Sequence, residues 1–169
     1  METVSLRSGR TVAIRRIRPD DLNRLRAAHD RLSPESKYAR FLAAKPHLSL
    51  ADARYLVDVD GWNHFALVAT SVEGPEEILG VARFVRLPED RRVAEFAIVV
   101  GDAFQREGLA SELLERLADA ALAQGIERFT ATTLATNEAV HRLIRRLAGR
   151  LPRARRVGHL DEIEFELAS

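Results

Sequence analysis

The chain has 169 residues, is 46% hydrophobic and 30% charged, and carries a formal net charge of +1. That composition supports a packed core and argues against disorder, and the length predicts one domain, residues 1–169. The balanced charge excludes a global field for nucleic acid, and the absence of cysteine excludes a disulfide framework, a thiolate nucleophile and a Cys-ligated metal.

No apolar run approaches the ~20 residues of a membrane helix, and "METVSLRSGR" lacks the apolar segment of a signal peptide. A cytoplasmic protein with no membrane partner is expected.

"TVAIRRI" (11–17) alternates and predicts a strand. Pro19 and Asp20 then open a helix striped by Leu22, Leu25, Ala28 and Leu32. Ser33 followed by Pro34 is a second helix start, and "SLADARYLVDV" (49–59) reads as a further helix with Ser49 before it. Three strand-like runs follow at 64–70, 77–85 and 92–100, joined by links short enough for hairpins. A helix over roughly 106–124 ends at Gly125. "IERFTATTL" (126–134) predicts a strand, and Asn137 caps a helix to 148. "RARRVG" and "DEIEFELA" add one or two closing strands. The order is strand, helix, helix, three strands, helix, strand, helix, and then the closing strands. It predicts an α/β fold of the α+β, mixed-sheet kind: an antiparallel meander, then a strand–helix–strand crossover, with helices on both faces.

The stretch "AIVVGDAFQREGLASELLERL" (97–117) carries the strongest chemical signal. A strand ends at Val100 and a helix begins near Gln105. A helix N-terminus exposes unpaired N–H groups and the positive end of the dipole. Gly108 and Ala110 lack bulk, so an anion can approach the backbone, and Ser111 can add a hydroxyl. No Gly-Lys-Ser/Thr and no GxGxxG is present, which excludes the P-loop and the dinucleotide fingerprint. Taken alone, the turn fits close helix packing as well as it fits an anion.

"QREGLA" resembles the Q/R-x-x-G-x-G/A motif of the GNAT acetyltransferase superfamily. "LSPESKYARF", "VDVDGWNHFALVAT", "LGVARFV", "AEFAIVVGDAFQREGLASELLERL" and "TLATNEAVHRLIRRL" resemble, in register, the acetyltransferase domain of bacterial protein lysine acetyltransferases, across residues 11–148. The resemblance implies a GNAT fold with splayed parallel strands and acetyl-CoA as acyl donor. It implies an amine acceptor, with a protein lysine as the first expectation and a small amine as the second. A catalytically weak acyl-CoA-binding regulatory module is the alternative from another class. By this resemblance Ile98, Val99 and Val100 lie along the pantetheine arm. Gln105, Arg106, Glu107, Gly108, Leu109, Ala110 and Ser111 surround the pyrophosphate. Asn137 becomes a candidate contact to the cofactor arm, besides its reading as a helix cap. No metal is implied, and a monomer or a homodimer is expected.

Glu95 stands on a strand of Val, Ala, Phe and Ile, on the face of Val93, Ala97 and Val99. Burial among such neighbours would raise its pKa and suit it to accept a proton. The resemblance makes it the catalytic base that deprotonates the attacking amine. An ion pair with an arginine, or a solvated sheet edge, is the plainer account. Three positions depart from the family. Ile144 stands where many members carry a tyrosine general acid. Glu107 puts a negative charge beside the expected pyrophosphate, tolerable if it points to solvent or if Arg106 compensates. "RLAGRLP" replaces the usual L-G-F. The five histidines show no metal spacing, and His64, Trp62 and Asn63 read as structural before they read as acceptor-side. Arginines 142, 145, 146, 150, 153, 155 and 156 form a basic run that could meet the cofactor's 3′-phosphate. Without interleaved aromatics, nucleic acid is disfavoured and a solvated face is expected.

Overall fold

Alternating segments become strands and 3.6-period segments become helices in the computed structural model, which describes residues 1–168. β1 (Glu2–Ser5) and β2 (Thr11–Arg16) form a hairpin, followed by α1 (Leu22–Asp30), α2 (Pro34–Phe41) and α3 (Leu50–Val57). Next come β3 (His64–Ser71), β4 (Ile78–Arg86) and β5 (Val93–Val100). The chain closes with α4 (Leu109–Ala123), β6 (Arg128–Leu134), α5 (Glu138–Leu147), β7 (Arg153–Val157) and β8 (Leu160–Glu166). The sheet order is β1-β2-β3-β4-β5-β6-β8-β7. Every neighbouring pair is antiparallel except β5–β6. This is the expected mixed sheet: a meander, then a crossover through α4.

Two features differ from the sequence reading. β1 precedes the first predicted strand; its four residues are nearly all exposed and so leave no alternation to read. Three helices, not two, separate β2 from β3, because α2 buries no residue fully and leaves little hydrophobic signature.

Side-chain parity sends β5 residues to two cores. Ala94, Phe96 and Val100 join Phe84, Phe129, Leu113, Leu117 and Ile144 under α4 and α5. Val99 packs on the opposite face against Leu25, Leu56, Val68 and Val81, beneath α1 and α3. α4 buries Leu109, Leu113, Leu114, Leu117, Ala118 and Ala121, a helical stripe. It stops at Gly125, whose φ of 83° is the left-handed C-terminal conformation. Among the described residues no helix is long and apolar enough to cross a membrane.

Candidate active site

β5 and β6 pair in parallel through Val93↔Arg128, Ala94↔Phe129 and Glu95↔Thr130, and no further. β5 stays bonded to β4 as far as Val100↔Gly80, while β6 stays bonded to β8 as far as Leu134↔Leu160. The two strands therefore part beyond Glu95 and leave a wedge-shaped gap. Backbone directions follow from the flanking bonds. Val93 O accepts from Leu87 N, and Gly101 N donates to Leu79 O, so odd residues of β5 face β4. Arg92 O accepts from Arg128 N, so even residues face β6. Successive residues alternate in this way along a ladder. The N–H and C=O groups of Phe96, Ile98 and Val100 thus point into the gap. The carbonyl of Val100 accepts from Gln105 Nε2 at 3.3 Å. Such an edge suits an extended ligand that offers amide groups in return.

The loop at the end of the gap is tighter than the sequence implied. α4 starts at Leu109, not near Gln105, because Arg106 (φ 63°) and Gly108 (φ 87°) adopt left-handed conformations that a helix cannot contain. Gly108 caps α4 through its backbone alone, which leaves the first N–H groups of the helix open. A Cβ at Gly108 would meet only Arg7 Nε, at 3.9 Å. The backbone angle requires glycine here; close packing does not.

Four arginines gather at this loop. Arg7 Nη1 donates to Arg106 O at 3.4 Å, and Arg10 Nη2 donates to Ala103 O at 2.8 Å. Arg146 Nη1 donates to Ser111 Oγ at 2.9 Å, and Arg106 is part of the loop itself. The Arg10 guanidinium also lies 4.0 Å from the Phe104 ring centroid and forms an ion pair with Glu107. Glu107 therefore points neither to solvent nor to Arg106; its side chain is 12% exposed and Arg10 offsets it. Arg7 and Arg10 carry no local sequence signal, since contacts across the fold, among them the bond from Arg7 N to Glu107 O at 3.1 Å, bring the β1–β2 turn here.

Glu95 is the last residue of the parallel pairing, at the mouth of the gap. It is exposed, not buried among the apolar residues of its strand, although it pairs with both Val85 and Thr130. Among the described residues it makes no salt bridge within 4.0 Å, so a direct arginine pair does not account for it. Arg40 of α2 lies close enough that the Glu95 charge supports its cation against the burial that disfavours it. α2 packs on both β5 and β6. Ser33 caps α2 by accepting from Ser36 N, and Ser33 N and Ser36 Oγ both donate to Asp102, at 3.2 Å. Gln105 Nε2 reaches Ser36 Oγ at 3.3 Å, so α2 is fastened to the loop.

The sequence and the fold that carry this gap and loop match known proteins. The model of the acetyltransferase (GNAT) family matches residues 27–149. The chain belongs to the GNAT acetyltransferase family. It is similar to acetyltransferase Pat of Mycolicibacterium smegmatis, 35% identical over 85% of this chain and 43% of that protein. It spans less than half of that relative. An acetyltransferase of Pseudomonas aeruginosa is 33% identical over 82% of this chain and 75% of its own length. Among solved structures, the GNAT domain of S. lividans PAT superposes with a TM-score of 0.86 at 32% identity, covering 98% of this chain and 96% of that one.

Other residues of this GNAT domain have structural work. Asn137 caps α5 by accepting from Val140 N at 3.3 Å. Ile144 is 1% exposed in the main core, so the tyrosine position of other GNAT members holds no titratable group here. Tyr38 reaches His159 Nε2 at 3.4 Å across the front of the sheet. His64 is buried and accepts from Arg83 Nη1 at 2.9 Å; burial first, and then the Arg83 charge, hold its pKa at about 4. Trp62 is half exposed beneath the Arg86 guanidinium. Of the basic run, Arg142, Arg150 and Arg156 pair with Glu138, Glu166 and Asp161. Among the described residues no cluster of His, Cys, Asp or Glu could hold a metal ion.

Proposed function

We propose that this GNAT enzyme transfers acetyl from acetyl-CoA to a lysine ε-amine of a protein, by direct attack within a ternary complex. The observation that carries this reading is the row of outward backbone groups at Ile98 and Val100, leading to the open N-terminus of α4. The N–H groups from Gly108 to Ser111, with Arg7, Arg106 and Arg146 around them, suit a pyrophosphate. Ile98 and Val100 suit the amides of the pantetheine arm, with Val99 between them. A thioester carried along β5 then ends near Glu95, three residues or about 10 Å from Ile98.

Glu95 takes the proton of the attacking ammonium, directly or through a water, since a free lysine has a pKa of about 10.4. The neutral nitrogen bonds to the acetyl carbon, the C–S bond breaks as CoA leaves as thiolate, and the surplus proton on the new amide nitrogen passes to solvent or to that thiolate. No tyrosine protonates it, and an exposed, fairly acidic thiol can leave without one. The resemblance to lysine acetyltransferases supports a lysine, and the solvent-open position of Glu95 supports an acceptor presented by a large partner. Ile144 favours the second reading, an acyl-CoA-binding module with little turnover.

The test is thiol release from acetyl-CoA with lysine-containing proteins and peptides. Glu95→Gln should lower turnover by about 10²–10⁴, the usual scale for a lost general base, with acetyl-CoA affinity within a few-fold. The loss should shrink at high pH, where more amine is already neutral. Unchanged turnover would remove Glu95 from the mechanism. No turnover in the wild type, despite tight acetyl-CoA binding, would favour the module.

A further inference from the structure

A cavity of about 550 Å³ lies between the helical layer of α1–α3 and strands β4 and β5. Its walls are largely apolar, with Leu25, Phe41, Leu48, Leu56, Val81 and Val99 among them. Three arginines, Arg31, Arg40 and Arg83, also line it, and Arg31 donates to Ile78 O at 3.0 Å. Arg83 projects from the middle of β4 and is only 5% exposed. Its Nη1 donates to Leu56 O at 2.9 Å and to His64 Nε2 at 2.9 Å. Both acceptors are neutral. Among the described residues, no carboxylate lies within salt-bridge distance of Arg83, and its Nε and Nη2 find no acceptor. The nearby charge of Arg40 has the same sign and, after burial, further disfavours the Arg83 cation.

An isolated buried cation is costly unless an anion meets it. None of the described carboxylates around the cavity forms an ion pair with Arg83. Asp102 is held by Ser33 and Ser36. It follows Gly101, which bonds Leu79, four residues along β4 from Arg83 and so about 13 Å away. Glu77 is exposed at the same far end, and Glu95 is exposed beside Arg40. A mostly apolar chamber with a few convergent polar groups is the usual form of a small-molecule site. The free edge of a guanidinium is shaped for the two oxygens of a carboxylate.

We propose that this cavity binds a small monocarboxylate with an apolar body, its carboxylate gripped by Arg83 with Arg40 alongside. This does not rest on the acetyl-transfer reading. The carboxylate belongs either to an amine-bearing acceptor, an amino acid, or to a separate effector that has no amine.

The experiment is calorimetric titration of the full chain with 3-phenylpropionate, its neutral analogue 3-phenylpropionamide, and L-phenylalanine. The wild type should bind 3-phenylpropionate at least about tenfold more tightly than the amide, and R83M should lose at least about tenfold in that affinity, the scale of removing one charged hydrogen-bonding partner. Thiol release from acetyl-CoA with L-phenylalanine identifies the acceptor as the source. Binding of 3-phenylpropionate without such turnover identifies an effector. Equal affinity for acid and amide, unchanged affinity in R83M, or no binding of any probe at millimolar concentration would overturn the proposal. Should R83M fail to fold, R40M replaces it: weakened carboxylate binding is expected, and unchanged binding overturns the proposal equally.

Discussion

Ile144 and His64 show how much a single side chain decides. A tyrosine placed at Ile144 would not restore the acid found in other GNAT members, because the position is 1% exposed inside the main core. Overpacking of this kind costs about 1–3 kcal/mol. Ile144→Tyr should therefore lower the melting temperature and leave thiol release no faster; a stable, faster variant would show that the position reaches the cleft. His64 has a folded pKa of about 4, below the unfolded value of about 6.5. Between these values the unfolded chain binds more protons than the folded one, so stability falls as pH drops from about 6.5 to 4. His29, which burial also keeps neutral, adds in the same sense. His64→Gln, which can still accept from Arg83, should flatten part of that acid limb in melts run across this range, and an unaltered limb would contradict the assignment. At this scale the sequence was partly legible. Glu95 stands out by its apolar neighbours, yet the strand pattern alone does not show that its side chain is exposed. Arg7, Arg10, Arg40 and Arg83 carried no local signal, because their contacts join distant parts of the chain.

Elements were easier to read than contacts. The meander was legible because half-buried strands alternate, and α4 because its leucines recur at helical spacing. The start of α4 was misplaced by about one turn, since polar residues in left-handed conformations look like any helix N-terminus in sequence. β1 and α2 were faint for the opposite reason: neither buries enough side chain to leave a pattern. α1 is held to the sheet by a charged tie that sequence could not show. Arg15 of β2 donates to Asp21 at 2.7 and 2.8 Å and to Glu76, with side chains of Arg15 and Asp21 only 8% and 0% exposed. Burial raises the Asp21 carboxyl, but Arg15 and the Arg18 N–H outweigh it and hold the pKa below the usual range. Removing one member of a buried pair strands the other, at about 3–5 kcal/mol. Denaturant melts of Arg15→Met should show a loss of that order, while a loss under about 1 kcal/mol would mean that Glu76 and solvent already screen the pair.

Across the whole molecule, one continuous sheet separates two packed layers, and the parting of β5 from β6 interrupts it at the centre. The gap opens beside α2 at one end and at the arginine-ringed loop at the other. Its position was expected from resemblance, whereas the outward groups of Ile98 and Val100 follow from the hydrogen-bond register itself. The central claim is that this gap and loop hold acetyl-CoA, and calorimetric titration of the wild type and Gly108→Glu tests it most directly. The wild type should bind acetyl-CoA at micromolar to millimolar concentrations. Gly108→Glu puts bulk and a negative charge at the phosphate loop and should abolish that binding, with circular dichroism confirming that the variant is folded. Gly108→Ala, which shares the backbone strain without the charge, should retain measurable affinity. A folded Gly108→Glu that binds acetyl-CoA as tightly as the wild type, or a wild type that binds none, would contradict the account.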